Sequence, residues 1–357
     1  MGLIFCAVII LAVFSCLVIA HELGHFAAAR RSGVRVERFA VGFGRKIFGI
    51  KRGDTEYLVN IIPLGGYVKL AGEDPAEAKG KSDELCSKPI LSRFWIFVSG
   101  SLANVILAYV VLLFLYLVGI PTPTSDIGRV LDKSPAAAAG IMAGDRIVAI
   151  DGKPVKYWSQ VLETIRSNTD AKPMSIGIER GREALGFSIT PSVITATNVF
   201  KQEVRFPGIG IAPSENIVLM KSNPLNAVTL SAEYVWFFTA ATYKGIWRIL
   251  TGAMPVRESV GGPIRIVQVL AKAIEHGPVS VFSMMANISL ALAIFNLLPF
   301  PVLDGGHILF LCIEKLRGKP LSAKTQEMIS QVALVLLIAF FVYVSYCDTV
   351  GIVAGKK

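Results

Sequence analysis

The chain opens with an apolar run, Leu3–Ala20, that passes without interruption into His21-Glu22-Leu23-Gly24-His25. With the residues after it, this run is long enough to cross a bilayer. A lone backbone inside hydrocarbon must satisfy its own hydrogen bonds, which leaves a helix as its conformation. In a helix, residues four apart share a face, so His21 and His25 can address one atom. Two imidazoles at that spacing with a Glu between them form the H-E-x-x-H pattern, a zinc site with Glu22 as general base. Ionisable residues at membrane depth are costly and mark function. Two plainer readings compete. A signal peptide cleaved after Val18-Ile19-Ala20 would need a basic start, and Met1–Phe5 has none. Histidines merely snorkelling at a helix end would leave Glu22 without a purpose.

Composition agrees with a membrane protein carrying a soluble insert. Of 357 residues, 53% are hydrophobic and 17% charged, and the mean hydropathy is +0.58. The net charge of +10 invites a nucleic-acid reading, but thirteen Lys/Arg lie from Arg30 to Arg93, between two apolar spans. That is the positive-inside mark of a cytoplasmic loop, so no nucleic-acid partner is expected and the lipid bilayer is. The five cysteines show no C-x-x-C spacing, and they indicate neither a zinc knuckle nor a disulfide framework.

The expected architecture is a polytopic α-helical membrane protein with four transmembrane helices, a membrane-associated β-loop region and one inserted α+β domain. Residues 1–30 form the first span, with the histidines near the cytoplasmic face and the N-terminus outside. At 1.5 Å per residue, His25 lies roughly 8 Å and His21 roughly 14 Å inward of Arg30. Residues 31–93 are cytoplasmic in character. Within them, Val34–Phe39, Tyr57–Ile62 and Gly66–Leu70 read as strands, with a turn at Arg52-Gly53-Asp54. They form either a small cytoplasmic β-domain or a loop that re-enters the membrane and offers a strand edge to an extended peptide. Residues 73–92 read as a polar linker.

The second span is 94–118, with Asn104 its one strongly polar residue beyond the hydroxyls near its start. Asn104 is either glue between helices or a partner of the metal ligands. Residues 126–213 follow on the outer side. Ser134-Pro135-Ala136, the run Gly140-Ile141-Met142-Ala143-Gly144-Asp145-Arg146-Ile147 and the Asp151-Gly152 turn resemble a bacterial, circularly permuted PDZ domain. Phe206–Ile211 is expected to close its groove. Residues 224–276 are expected to be interfacial helices, because Glu233, Lys244, Arg248 and four aromatics break the apolar character of Asn226–Leu250. A further crossing there would also reverse the direction of the third span.

That third span, Val279–Leu298, stops at Pro299 and Pro301; with Leu303-Asp304-Gly305-Gly306-His307 the unit covers 279–311. Asp304 is then a carboxylate at the cytoplasmic end of an inward-running span, either a metal ligand or the partner of Lys315 or Arg317. His307 is either a hydrogen-bond donor to a ligand or a packing residue. Residues 329–346 make the fourth span and leave the C-terminus outside.

Two His and a carboxylate with an open position suit hydrolysis: Glu22 takes the proton of a water that attacks a polarised carbonyl. Taken together, His21–His25 in a first span, the PDZ-like insert and Asn296-Leu297-Leu298-Pro299-Phe300-Pro301-Val302-Leu303-Asp304-Gly305-Gly306-His307 resemble the site-2 protease family of intramembrane zinc metalloproteases, in particular the bacterial regulator of sigma-E protease group. The resemblance implies Zn2+ at His21, His25 and Asp304 with Glu22 catalytic. It also implies a membrane-reentrant β-loop containing Gly65-Gly66-Tyr67-Val68-Lys69. Asn104, Asn296, His307, Gly65 and Gly66 become candidates for supporting the ligands or positioning substrate. The partners implied are single-pass membrane proteins, such as anti-sigma factors or signal-peptide remnants, first shortened by a site-1 protease. The place implied is the bacterial inner membrane. Two departures stand out: a single PDZ domain instead of a tandem pair, and Ser101 where the family often has Pro. The competing reading is a catalytically silent membrane scaffold that gathers peptides through its PDZ groove.

Overall fold

The computed structural model describes residues 2–74, 78–168, 170–197, 203–254 and 261–354. The chain divides into two units, one of residues 1–115 and 225–357, the other of residues 116–224.

In the first unit, α1 (Leu3–Arg31) leads into the strands β1 (Val36–Arg52) and β2 (Thr55–Leu70), and α2 (Ile90–Val118) follows. The two strands are long enough to pair twice. Residues 36–41 of β1 bond on one side to 66–70 of β2 and on the other to 56–59, while 46–52 pairs back onto 55–60. Four strand runs therefore lie in the order 66–70, 36–41, 56–59, 46–52, and among the described residues nothing pairs with the outer side of 66–70.

A cluster of Ala29, Val34, Val36, Leu70, Leu85 and Ile96 ties the base of the sheet to α1 and α2. Its far end runs along α1: the Ser15 hydroxyl donates to the Pro63 carbonyl at 3.0 Å. Ser15 is six residues before His21, so the sheet passes the histidines by about 9 Å along the helix. Phe43, Ile47, Phe48, Ile50, Ile61 and Ile62 are exposed on it, as suits a sheet that faces lipid. Part of the expected polar linker is ordered by the buried Glu84, whose Oε2 accepts the backbone N–H groups of Lys79, Gly80 and Lys81.

The second unit contains β3 (Ile120–Pro123), β4 (Ile127–Val130), α3 (Pro135–Ala138), β5 (Arg146–Ile150), β6 (Lys153–Pro154), α4 (Trp158–Ser167), β7 (Met174–Arg180), β8 (Glu183–Ile189), β9 (Ser192–Thr197), β10 (Glu203–Gly208), β11 (Ile211–Pro213) and β12 (Ile217–Met220). A β6-β5-β7-β8 sheet carries the expected PDZ-type α+β arrangement. Its core joins Ile147, Ile150, Ile176 and Ile178 to Val161 and Ile165 of α4. Asp151 and Gly152 both take positive φ, 48° and 76°, the type I′ geometry an Asp-Gly hairpin requires. Within Phe206–Ile211, Ile209 is buried in this core, and the Arg166 guanidinium of α4 covers the Phe206 ring at 4.7 Å.

The chain returns to the first unit with α5 (Pro224–Leu250), α6 (Pro263–Glu275), α7 (Pro278–Asn296), α8 (Asp304–Arg317) and α9 (Ala323–Ala354). Residues 279–311 thus divide between two helices, with the Pro299 and Pro301 turn between them. Four described helices are long and apolar enough to cross a membrane: Ile4–Arg31, Ile90–Val118, Pro278–Asn296 and Ala323–Val350. Helix α5 is not among them. Its first half nevertheless bonds near the middle of two that are: Tyr109 Oη donates to the Val228 carbonyl at 3.4 Å, and Tyr234 Oη to Asn287 Oδ1 at 2.7 Å. Its polar and aromatic residues, Glu233, Tyr234, Trp236, Tyr243, Lys244, Trp247 and Arg248, are spread over both halves of the helix.

Candidate metal centre

His21 and His25 lie one turn apart on α1, their Nε2 atoms 3.1 Å from each other. Asp304 begins α8, and its Oδ2 stands 3.2 Å from His21 Nε2 and 3.4 Å from His25 Nε2. A tetrahedral ion with bonds of about 2.0–2.1 Å holds its ligand atoms about 3.3 Å apart, so the three spacings fit one. Asp304 Oδ2 is buried and has no hydrogen-bond partner among the described residues. Two imidazole lone pairs and one orphaned carboxylate oxygen form a cation's donor set, and zinc takes such a set.

The imidazoles are aimed by α2. A carbonyl can only accept, so the 2.8 Å contact of His25 Nδ1 with the Ile96 carbonyl places the proton on Nδ1 and leaves Nε2 for the cluster. His21 Nδ1 faces the Asn104 amide at 3.5 Å. Asn104 turns its nitrogen to the ring, and its buried Oδ1 is without a partner among the described residues. Turning the amide over resolves both: the oxygen then accepts from His21 Nδ1–H, as a ring that ligates through Nε2 requires. Ser289 of α7 donates to the Asn104 carbonyl at 2.8 Å, buried between the helices.

Close approach makes this possible. A Cβ on Gly24 would run into the Ser99 carbonyl, and one on Gly100 would run into His25 Nε2. Helices α1 and α2 therefore touch at the cluster with no side chain between them. Gly305 and Gly306 play the same part for α8, packing on the backbone of Leu297, Leu298, Phe300 and Pro301.

Glu22 projects toward the sheet. A Cβ on Gly66 would stand 3.5 Å from Glu22 Cγ, and the Val68 N–H interacts with the Glu22 carboxylate. The edge run 66–70 thus borders Glu22, while Gly65, with φ of 89°, turns the chain into it. Asn296 closes α7 with its amide 3.4 Å from His21 Nε2. His307 lies one turn after Asp304 on α8, and its ring stacks on Phe97, centroids 4.7 Å and planes 9° apart. Packing is the role its surroundings support. The Ile96 carbonyl and Ser289 escaped the reading of the sequence. Every residue has a carbonyl, so Ile96 carries no signal; Ser289 shows only as a hydroxyl in an apolar span.

The family model described as peptidase family M50 matches residues 9–340. The chain belongs to peptidase family M50. It is a zinc metalloprotease of the site-2 protease type, built into a frame of membrane-spanning helices. A protein of Nostoc sp. (strain PCC 7120) predicted to be a zinc metalloprotease is 33% identical, covering 95% of this chain and 94% of that protein. The regulator of sigma-W protease RasP of Bacillus subtilis is 29% identical, covering 94% and 96%. The regulator of sigma-E protease RseP of Salmonella typhimurium is 29% identical, covering 90% and 93%. Among solved structures, the PDZ domain of the SdrC-like protein from Listeria innocua is similar to 26% of this chain over 96% of its own length, at 29% identity and a TM-score of 0.21.

Proposed function

We propose that this metalloprotease cuts a peptide bond inside the transmembrane segment of a single-pass membrane protein, with zinc held by His21, His25 and Asp304 and with Glu22 as general base. The convergence of two imidazole nitrogens and a carboxylate oxygen at 3.1 to 3.4 Å carries this reading. When bound, zinc polarises the scissile carbonyl and lowers the pKa of water toward neutrality. Glu22 accepts the proton of the attacking water and hands it to the departing amine. Asn104 and the Ile96 carbonyl hold the imidazoles in their tautomers, and Asn296, its amide 3.4 Å from His21 Nε2, is assigned to the substrate backbone.

A membrane helix hides its carbonyls in internal bonds, so the substrate unwinds before it is cut. The edge run 66–70, bordering Glu22, offers main-chain groups that keep it extended.

The basic loops support an orientation with the metal centre toward the cytoplasmic face of the bacterial inner membrane and with the PDZ domain and both termini outside. In that orientation the PDZ domain screens substrates by size and admits those already shortened by a site-1 protease. The names of the Bacillus and Salmonella relatives, regulators of sigma-W and sigma-E proteases, support anti-sigma factors as substrates; signal-peptide remnants are a second class.

The test is zinc content and cleavage of a tagged single-pass substrate by the purified full chain and by Glu22→Gln. Both proteins should carry one zinc, while the variant cuts slower by about 100-fold or more. A wild type without zinc, or a variant that cuts as fast, would sink the reading.

A further inference from the structure

Helix α2 aims both imidazoles, and the same stripe of that helix also grips α8. Arg93, Phe97, Gly100 and Asn104 follow one another at steps of four, three and four, which places them on one face. Gly100 and Asn104 meet the histidines. Arg93 and Phe97 meet α8, where Asp304, His307, Leu311 and Glu314 follow at steps of three, four and three, again on one face. Phe97 stacks on His307. The Arg93 guanidinium forks onto Glu314, Nη1 to Oε2 at 2.9 Å and Nη2 to Oε1 at 2.5 Å. Its Nε donates to the Lys88 carbonyl at 3.1 Å, which fixes the arginine in turn. The two side chains are only 13% and 15% exposed, so the pair is far better shielded than a surface ion pair.

We propose that the Arg93–Glu314 fork is a positioning device for the third metal ligand. It sets the rotation and height of α8 on α2, and thereby where Asp304 Oδ2 meets the two imidazoles. The inference rests on the zinc reading above. The need for such a device follows from the helix that bears Asp304. Helix α8 supplies one candidate ligand at its first residue and is joined to α7 through a turn. Side-chain atoms lie about 5–6 Å from a helix axis. A rotation of α8 by about 20° would therefore carry the carboxylate about 2 Å sideways, against a tolerance of about 0.2 Å in a metal–ligand bond. A flat ring stack such as Phe97–His307 fixes separation but permits sliding. A two-bond fork fixes direction as well. Glu314 lies ten residues beyond Asp304, about 15 Å along the axis, and registers the far end of the same helix face.

The experiment measures zinc affinity of the full chain in detergent, by competition with a chelator, alongside its thermal stability. The variants are Asp304→Asn, Glu314→Gln, the charge swap Arg93→Glu/Glu314→Arg and the apolar pair Arg93→Met/Glu314→Met. Glu314→Gln is expected to weaken zinc binding about 10- to 100-fold, and the charge swap to return it to within about threefold of wild type.

The apolar pair separates positioning from mere stability. Replacing both partners of a shielded ion pair by apolar groups commonly restores stability, yet it makes no fork, so its zinc affinity should stay low. Wild-type affinity in Glu314→Gln, no recovery in the charge swap, or full recovery in the apolar pair would each overturn the proposal. Asp304→Asn guards the premise. If it binds zinc like wild type, the metal reading itself fails; if it loses zinc while Glu314→Gln keeps it, only the positioning role fails.

Discussion

Gly100→Ala adds one methyl group directly against both imidazoles of the metal centre. The new Cβ would lie 2.7 Å from His21 Cε1 and 2.7 Å from His25 Cε1, and closer still to His25 Nε2. Carbon atoms pack at about 3.5–4.0 Å, so α1 and α2 would have to part by roughly 1 Å at the crossing. Overpacking of this kind costs about 1–3 kcal/mol. Alanine in place of glycine inside a helix offsets about 1 kcal/mol of that, so the protein should remain folded. Catalysis is less forgiving. Displacing reacting groups by about 1 Å costs on the order of 100-fold in rate, about 2.7 kcal/mol in the barrier. The expected result is a full chain with near-normal thermal unfolding in detergent, weakened zinc retention and kcat lower by about 100-fold on a tagged membrane substrate. A Gly100→Ala protein with wild-type kcat and zinc affinity would show that α1 and α2 do not hold the ligands by direct contact, and the account of α2 as their template would fail.

Asn104→Leu keeps the branched outline of the amide but leaves His21 Nδ1–H without an acceptor; chelator competition should report zinc affinity reduced by about 10- to 100-fold. In the PDZ unit, the Asp126 carboxyl is held down at about 2, from an ordinary 3.8, by the Arg146 guanidinium first of all, with Asn216 and Thr124 adding to it against the cost of burial. Because the folded value lies below the unfolded one, the stabilisation is complete above about pH 4 and is lost as pH falls through about 2. Arg146 is more than half exposed, so screening limits the contribution to on the order of 1–2 kcal/mol. Asp126→Asn should therefore expose residues 126–189 of the full chain to pepsin more readily at pH 4 and narrow the difference between pH 4 and pH 2. An unchanged pH dependence would deny Asp126 this role.

The parts of this protein legible in its sequence are those set by spacing along the chain. Four apolar stretches can only be helices in a bilayer, because hydrocarbon offers no partner for an open backbone. His21 and His25 share a face because a helix turns every 3.6 residues. Asp304 could be matched to them across more than 270 residues because counting crossings returns it to the same side, and because its glycine neighbours permit close packing.

What needed the tertiary structure was every choice between partners that no local pattern decides. The sheet order, with 36–41 between two runs of β2, follows from which edges meet α1, and it brings 66–70 to Glu22. The aim of His25 depends on the Ile96 carbonyl, a group every residue possesses. His307 had two readings, and only the fold shows that its ring packs flat on Phe97. Arg93 and Glu314 stand 221 positions apart, and either could have been an ordinary surface charge. Only the docking of α8 on α2 turns them toward one another.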